Sequence, residues 1–110
     1  MTPRDREALE RIIECADAIS AYVGRVGAGW PADGMAFDAI VKSLEEIGEC
    51  AKRVSPEMLV TMPQANWGSV KGMRDVLVHN YEGVPADIVV DAVENELPGL
   101  RAAVATVLSA

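Results

Sequence analysis

The chain has 110 residues, half of them apolar but only 5% aromatic, and a formal charge of −7 from 17 acidic and 10 basic side chains. That is enough for one domain with its own core, and a composition rich in alanine and valine suits helix-on-helix packing better than a β-sandwich. So acidic a chain gains no long-range attraction to nucleic acid, which counts against broad RNA coating but not against a small site of different local charge, or one completed by a second chain.

The amino-terminal MTPRDREALER is too charged for a secretory signal, and no apolar run approaches the ~20 residues of a membrane span. A soluble cytoplasmic protein is expected. Thr2-Pro3 reads as an N-cap followed by proline at the first helical position. Leu9, Ile12, Ile13, Ala16, Ile19 and Val23 then recur at helical spacing. The segment GRVGAGWPADG, Gly24 to Gly34, is rich in breakers and reads as a loop. Its Trp30 either covers an end of the bundle or belongs to a lid or contact surface.

A second helix is expected from Asp33 or Gly34, with Phe37, Ile40, Val41, Leu44, Ile47, Gly48 and Ala51 on one stripe. Lys42, Glu45, Glu46, Glu49 and Lys52 fall largely on the other side. Gly48 costs about 1 kcal/mol against alanine in a helix, which marks it as a candidate point of close helix approach. Lys52 and Arg53 suit the negative carboxyl-terminal end. Ser55-Pro56-Glu57 starts a short helix, ended by Met62-Pro63. Asn66 or the next residue opens another, with Trp67, Val70, Met73 and Leu77 inward and Gly83 and Pro85 as its stop. Pro85 begins the last helix, with Ile88, Val89, Ala92, Val93 and Leu97 inward. Pro98-Gly99 is expected to kink or break it, since proline removes a donor and clashes one turn back. The pattern resumes from Leu100 to Leu108. These segments predict an all-α, antiparallel four-helix bundle plus a short helix, one domain over residues 1–110.

Cys15 and Cys50 lie in helical patterns without metal-ligand spacing and read as buried, reduced thiols. With one histidine in the chain, no metal site is expected.

Chemistry concentrates in KGMRDVLVHNYEGVP, Lys71 to Pro85, which holds the only histidine, His79, with Arg74 five positions before it and Tyr81 two after. At 100° per residue, Arg74 and His79 point about 140° apart. Three arrangements bring them together: a long arginine stem sweeping round the helix, His79 at a frayed end, or a two-fold dimer setting two copies of the motif against each other. The plainer alternative is a half-buried, hydrogen-bonded histidine, an Arg74 paired with Asp75 or another carboxylate, and Tyr81 in the core with a wet hydroxyl.

From about Ile47 to Leu100 the chain resembles HepT-type toxins of the HEPN ribonuclease superfamily. IGECAKRVSPE resembles the block in which a glycine-glutamate helix end runs into a Ser-Pro-Glu cap. NWGSVKGMRDVLVHNYEGV resembles the active-site block of tryptophan, glycine-methionine, arginine, four residues, histidine, any residue, tyrosine. The segment from Pro85 through Glu96-Leu97-Pro98 resembles the last helix. The resemblance implies a homodimer with the motif lining a cleft between protomers, Arg74 and His79 as the catalytic pair, and Asp75 as the supporting polar residue. It also implies Tyr81 as the tyrosine to which a partner nucleotidyltransferase antitoxin attaches AMP.

On that reading the chain is a ribonuclease needing no metal or cofactor, in which a ribose 2′-hydroxyl attacks the adjacent phosphorus. His79 would move the proton and Arg74 would hold the phosphate. Capture of RNA falls to a local patch drawn from Lys71, Arg53, Lys52 and Arg74. The rival expectation is a non-catalytic helical subunit that presents substrate or nucleotide to a nucleotidyltransferase. A purely structural dimerisation bundle is the third.

Overall fold

The computed structural model describes residues 1–80 and 83–110, and every regular element among them is helical. Helix α1, Pro3–Val26, starts where the Thr2 hydroxyl accepts the Asp5 amide at 3.0 Å. It stops at Gly27, whose φ of +85° is open to glycine without strain and whose amide bonds to the Val23 carbonyl at 2.8 Å. A single 3₁₀ turn, Trp30–Ala32, follows. Trp30 is 3% exposed and joins the core cluster, so of the two sequence readings it is the covering residue.

Asp33 caps α2, Gly34–Arg53, by accepting the Ala36 amide at 2.9 Å. Ser55 caps the short α3, Pro56–Leu59, and Asn66 caps α4, Trp67–Val78. All four caps are satisfied by a side-chain oxygen, the local chemistry that makes helix starts readable.

The last helical run is continuous from Ala86 to Ser109, as α5 (Ala86–Asp91), a π turn (Ala92–Glu96) and α6 (Leu97–Ser109). Pro98 therefore does not break the helix. The turn ahead of it widens, with the Leu97 amide reaching five residues back to the Ala92 carbonyl, and this absorbs the missing donor and the ring's crowding. A second departure is the end of α4. It stops at Val78, short of Gly83 and Pro85 and one residue past Leu77, its last buried side chain.

Helix α2 is central, packed on α1 along one side and on α4 along the other, while α6 closes on α1. Asp5 meets Ser55, and Arg11 meets Glu46, so α1 and α2 run antiparallel. Leu9, Ile12, Ile19, Ile40, Ile47, Val89 and Val104 are sealed between the helices. Met62 joins them, although the sequence marked it only as a terminator. Asp5 is the one buried charge among the described residues. It accepts the Ser55 amide at 2.8 Å and the Ser55 hydroxyl at 2.7 Å, tying the start of α1 to the α2–α3 corner. Those bonds hold its carboxyl below the usual carboxylate range, the backbone amide contributing most.

Candidate active site

The site is built where α4 lies on the last turns of α2. Gly48 is the reason it can. A Cβ there would collide with the Cβ of Arg74 and stand 3.1 Å from both the Arg74 Cγ and the Val70 carbonyl oxygen. The close approach expected at this glycine is therefore real, and it is made against the helix that carries the motif.

Arg74 leaves α4 at that contact and turns along α2. Its Nε lies 2.8 Å from Glu49 Oε2 and its Nη1 lies 3.2 Å from Asp75 Oδ1. The same Asp75 oxygen is 2.7 Å from Lys52 Nζ. Glu49, Arg74, Asp75 and Lys52 thus form one chain of alternating charge across the two helices. Arg74 is its most enclosed member, with its side chain 28% exposed. Lys52 first, and Arg74 second, hold the Asp75 carboxyl below the usual carboxylate range.

His79 stands elsewhere. It caps the carboxyl end of α4 with φ −94° and ψ 6°, its amide bonded to the Asp75 carbonyl at 3.1 Å, and it is exposed. Among the described residues the partners of Arg74 are Glu49 and Asp75, not His79. Within one chain, then, the guanidinium faces α2 and the imidazole sits off the helix end. Tyr81 lies outside the described residues.

The cations proposed for RNA capture do not form one patch. Lys71 is half-buried on α4, one turn before Arg74. Lys52 and Arg53 are neighbours in sequence, yet the 100° step between them sends Lys52 to α4 and Arg53 to α1. Arg53 donates to Cys50 Sγ at 2.9 Å and lines a polar hollow with Arg6, Glu10 and Glu46. Acidic side chains also crowd the motif's own surroundings, where Glu45, Glu46 and Glu49 line the hollow beside Arg74 and Val78.

Glu49 was not singled out from sequence, where it reads as one more solvated charge on the polar side of α2. Its signal was available in Gly48: a glycine inside a helix predicts a touching neighbour, and the next residue flanks that contact. Cys15 and Cys50 are buried free thiols. Burial first, and the Glu46 carboxylate second, push the Cys15 thiol up to about 12, which leaves it an inert packing group. Among the described residues no group of three His, Cys, Asp or Glu side chains could hold a metal ion, and no helix is long and apolar enough to cross a membrane.

The family model described as "Ribonuclease HepT-like" matches residues 7–107. The chain belongs to the HepT-like family. It is 34% identical over 104 residues to "Putative RNase TTE0752" of Caldanaerobacter subterraneus subsp. tengcongensis, covering 94% of this chain and 93% of that one. It is 27% identical over 97 residues to "Probable ribonuclease HepT" of Thermococcus cleftensis, covering 87% and 88%. With "Putative RNase MJ0127" of Methanocaldococcus jannaschii the identity is 37% over 60 residues, 54% of this chain and 50% of that protein. No solved structure gives a significant match. HepT-like proteins are a ribonuclease family, and the helical bundle described above is consistent with the HEPN architecture expected from sequence.

Proposed function

We propose that this HepT-like chain is the toxin half of a toxin–antitoxin pair, a cytoplasmic endoribonuclease that acts as a homodimer of one-domain protomers and needs no metal. The observation that carries the reading is the placement of His79. The imidazole stands exposed at a helix end, available to a substrate, rather than half-buried as the plainer alternative had it. Its separation from Arg74 within one protomer favours a cleft shared by two.

In that cleft a ribose 2′-hydroxyl attacks the adjacent phosphorus. One His79 imidazole takes the hydroxyl proton as the new P–O bond forms, and the partner's His79, in its protonated form, delivers a proton to the departing 5′-oxygen as the P–O5′ bond breaks. The products are a 2′,3′-cyclic phosphate and a free 5′-hydroxyl. Arg74 offers planar, charge-assisted hydrogen bonds to the phosphate oxygens as their charge grows. Proton transfer of this kind is worth about 10²–10⁴ in rate. Cleavage of a labelled RNA should persist in EDTA and fall by about that factor in His79→Ala. A His79→Ala chain that cleaves like the wild type would remove the assignment.

Control is proposed to act at Tyr81, two positions past His79, through AMP attached by a nucleotidyltransferase antitoxin. A phosphodiester there adds negative charge and bulk against an incoming RNA phosphate. Intact mass after coexpression with such an enzyme should rise by AMP adducts that are absent in Tyr81→Phe; adducts persisting in that variant would refute it. The net charge of −7 favours one other reading, a non-catalytic subunit of a nucleotidyltransferase complex. Expression of the chain alone separates the two, since a ribonuclease arrests growth and an accessory subunit does not.

A further inference from the structure

We infer that Glu49 is a positioning residue for Arg74, which it holds by Nε so that the guanidinium's far edge is presented to the substrate phosphate. The inference rests on the reading that Arg74 acts on an RNA phosphate. Arginine has five N–H donors in one plane. Glu49 Oε2 is ion-paired with Nε at 2.8 Å, and Asp75 Oδ1 accepts a hydrogen bond from Nη1 at 3.2 Å. Two carboxylates on different nitrogens restrain the guanidinium. Among the described residues no carboxylate pairs with Nη2, whose hydrogens are left to meet a phosphate by charge-assisted bonds.

The rest of the seat supports the same orientation. Gly48, adjacent to Glu49, lets the Arg74 Cβ rest against the α2 backbone, so the side chain starts from a fixed point. Lys52, one turn beyond Gly48, draws Asp75 Oδ1 to 2.7 Å from its Nζ and so fixes the second anchor. A merely solvated glutamate would meet neither condition.

The arrangement has two consequences of opposite sign. Glu49 lends geometry, so its loss lets the guanidinium wander, and misplacement on the scale of 1 Å costs about 10²-fold in rate. It also puts a negative charge beside the phosphate's place, so its loss relieves repulsion and RNA binds at least as tightly. A general structural role would weaken rate and binding together, and a simple electrostatic obstacle would do neither. Glu45 lines the same hollow but makes no ion pair with Arg74 and controls for charge alone.

Single-turnover cleavage at saturating RNA and the RNA dissociation constant are to be measured on the full chain. Glu49→Ala should lose about 10–100-fold in rate with an unchanged or lower dissociation constant. Glu49→Gln keeps the size and an oxygen beside Nε, so it should lose less, and it stands in if the alanine variant misfolds. Glu45→Gln should cleave at the wild-type rate. Wild-type rates in both Glu49 variants, with Arg74→Ala inactive, would overturn the inference and leave the ribonuclease reading standing. Parallel losses of rate and affinity in Glu49→Gln would also overturn it. Normal cleavage by Arg74→Ala would instead bring down the reading on which it rests.

Discussion

The α1–α2 half and α4 are held by different means. Along α1 and α2, Leu9, Ile12, Ile19, Ile40 and Ile47 interlock with almost no exposed surface, and eight residues of α2 are buried. Helix α4 buries only Trp67 and Leu77. It is otherwise fastened by the half-buried Val70 and Met73 against the core, by the Gly48 contact, by surface ion pairs, and by the Ser69 hydroxyl donating to Glu96 at 2.7 Å. Stability resides in an apolar interface that tolerates no water. The geometry of the candidate chemistry resides in one missing methyl and a few half-exposed charges, which are worth little to the fold and much to the direction of a guanidinium. The two functions of the sequence are thus separable by mutation.

The comparison breaks most sharply in the core. Ile12→Ala should cost about 2–5 kcal/mol by urea denaturation while the folded fraction cleaves RNA normally; a loss below about 1 kcal/mol would mean that this interface is not the principal support. Gly48→Ala is the bridging case. Its added methyl meets backbone-anchored atoms of α4, so we expect about 1–3 kcal/mol of destabilisation together with reduced cleavage. Thermal melts and rates on the same preparation test it, and a change in only one of them would contradict the shared role.

Asp5→Asn probes the corner remote from the chemistry. The carboxyl's pKa is lowered in the fold, chiefly by the Ser55 amide. Its contribution is therefore fully present above the unfolded value of about 3.9 and is lost as pH falls through the folded one. The melting temperature of the wild type should exceed that of Asp5→Asn at neutral pH, and the gap should close below about pH 4. A gap that widens on acidification would reverse the assignment. The smallest effect belongs to the exposed pair in which Arg101 Nε lies 2.7 Å from Asp17 Oδ1. Asp17→Asn should shift stability by less than about 1 kcal/mol and less still in high salt, as read by denaturation in two salt concentrations.

Much of this was legible in one dimension. Thr2, Asp33, Ser55 and Asn66 announce helix starts because a cap is chosen by its own side chain and the next two or three amides. The stripes of α1 and α2 follow from a period of 3.6 residues. The family's motif is a run of adjacent letters, so Arg74, His79 and Tyr81 could be singled out without coordinates. Pro98 marked a disturbance but not its form, since its penalty is local while the wider turn at Ala92–Glu96 that avoids a break lies a turn earlier. The end of α4 at Val78 escaped as well, since no breaker in the sequence stands there.

Local patterning was enough to specify four long helices, their inward faces and the motif from Arg74 to Tyr81, since each depends on neighbours within a turn or two. The ion pair of Glu49 with Arg74, the parting of Lys52 from Arg53, and the burial of Asp5 against Ser55 join residues that are distant in the chain or turn on which helix lies alongside. Such pairings exist only after the helices have met, and their distances and partners are set by how closely the backbones can approach, as at Gly48.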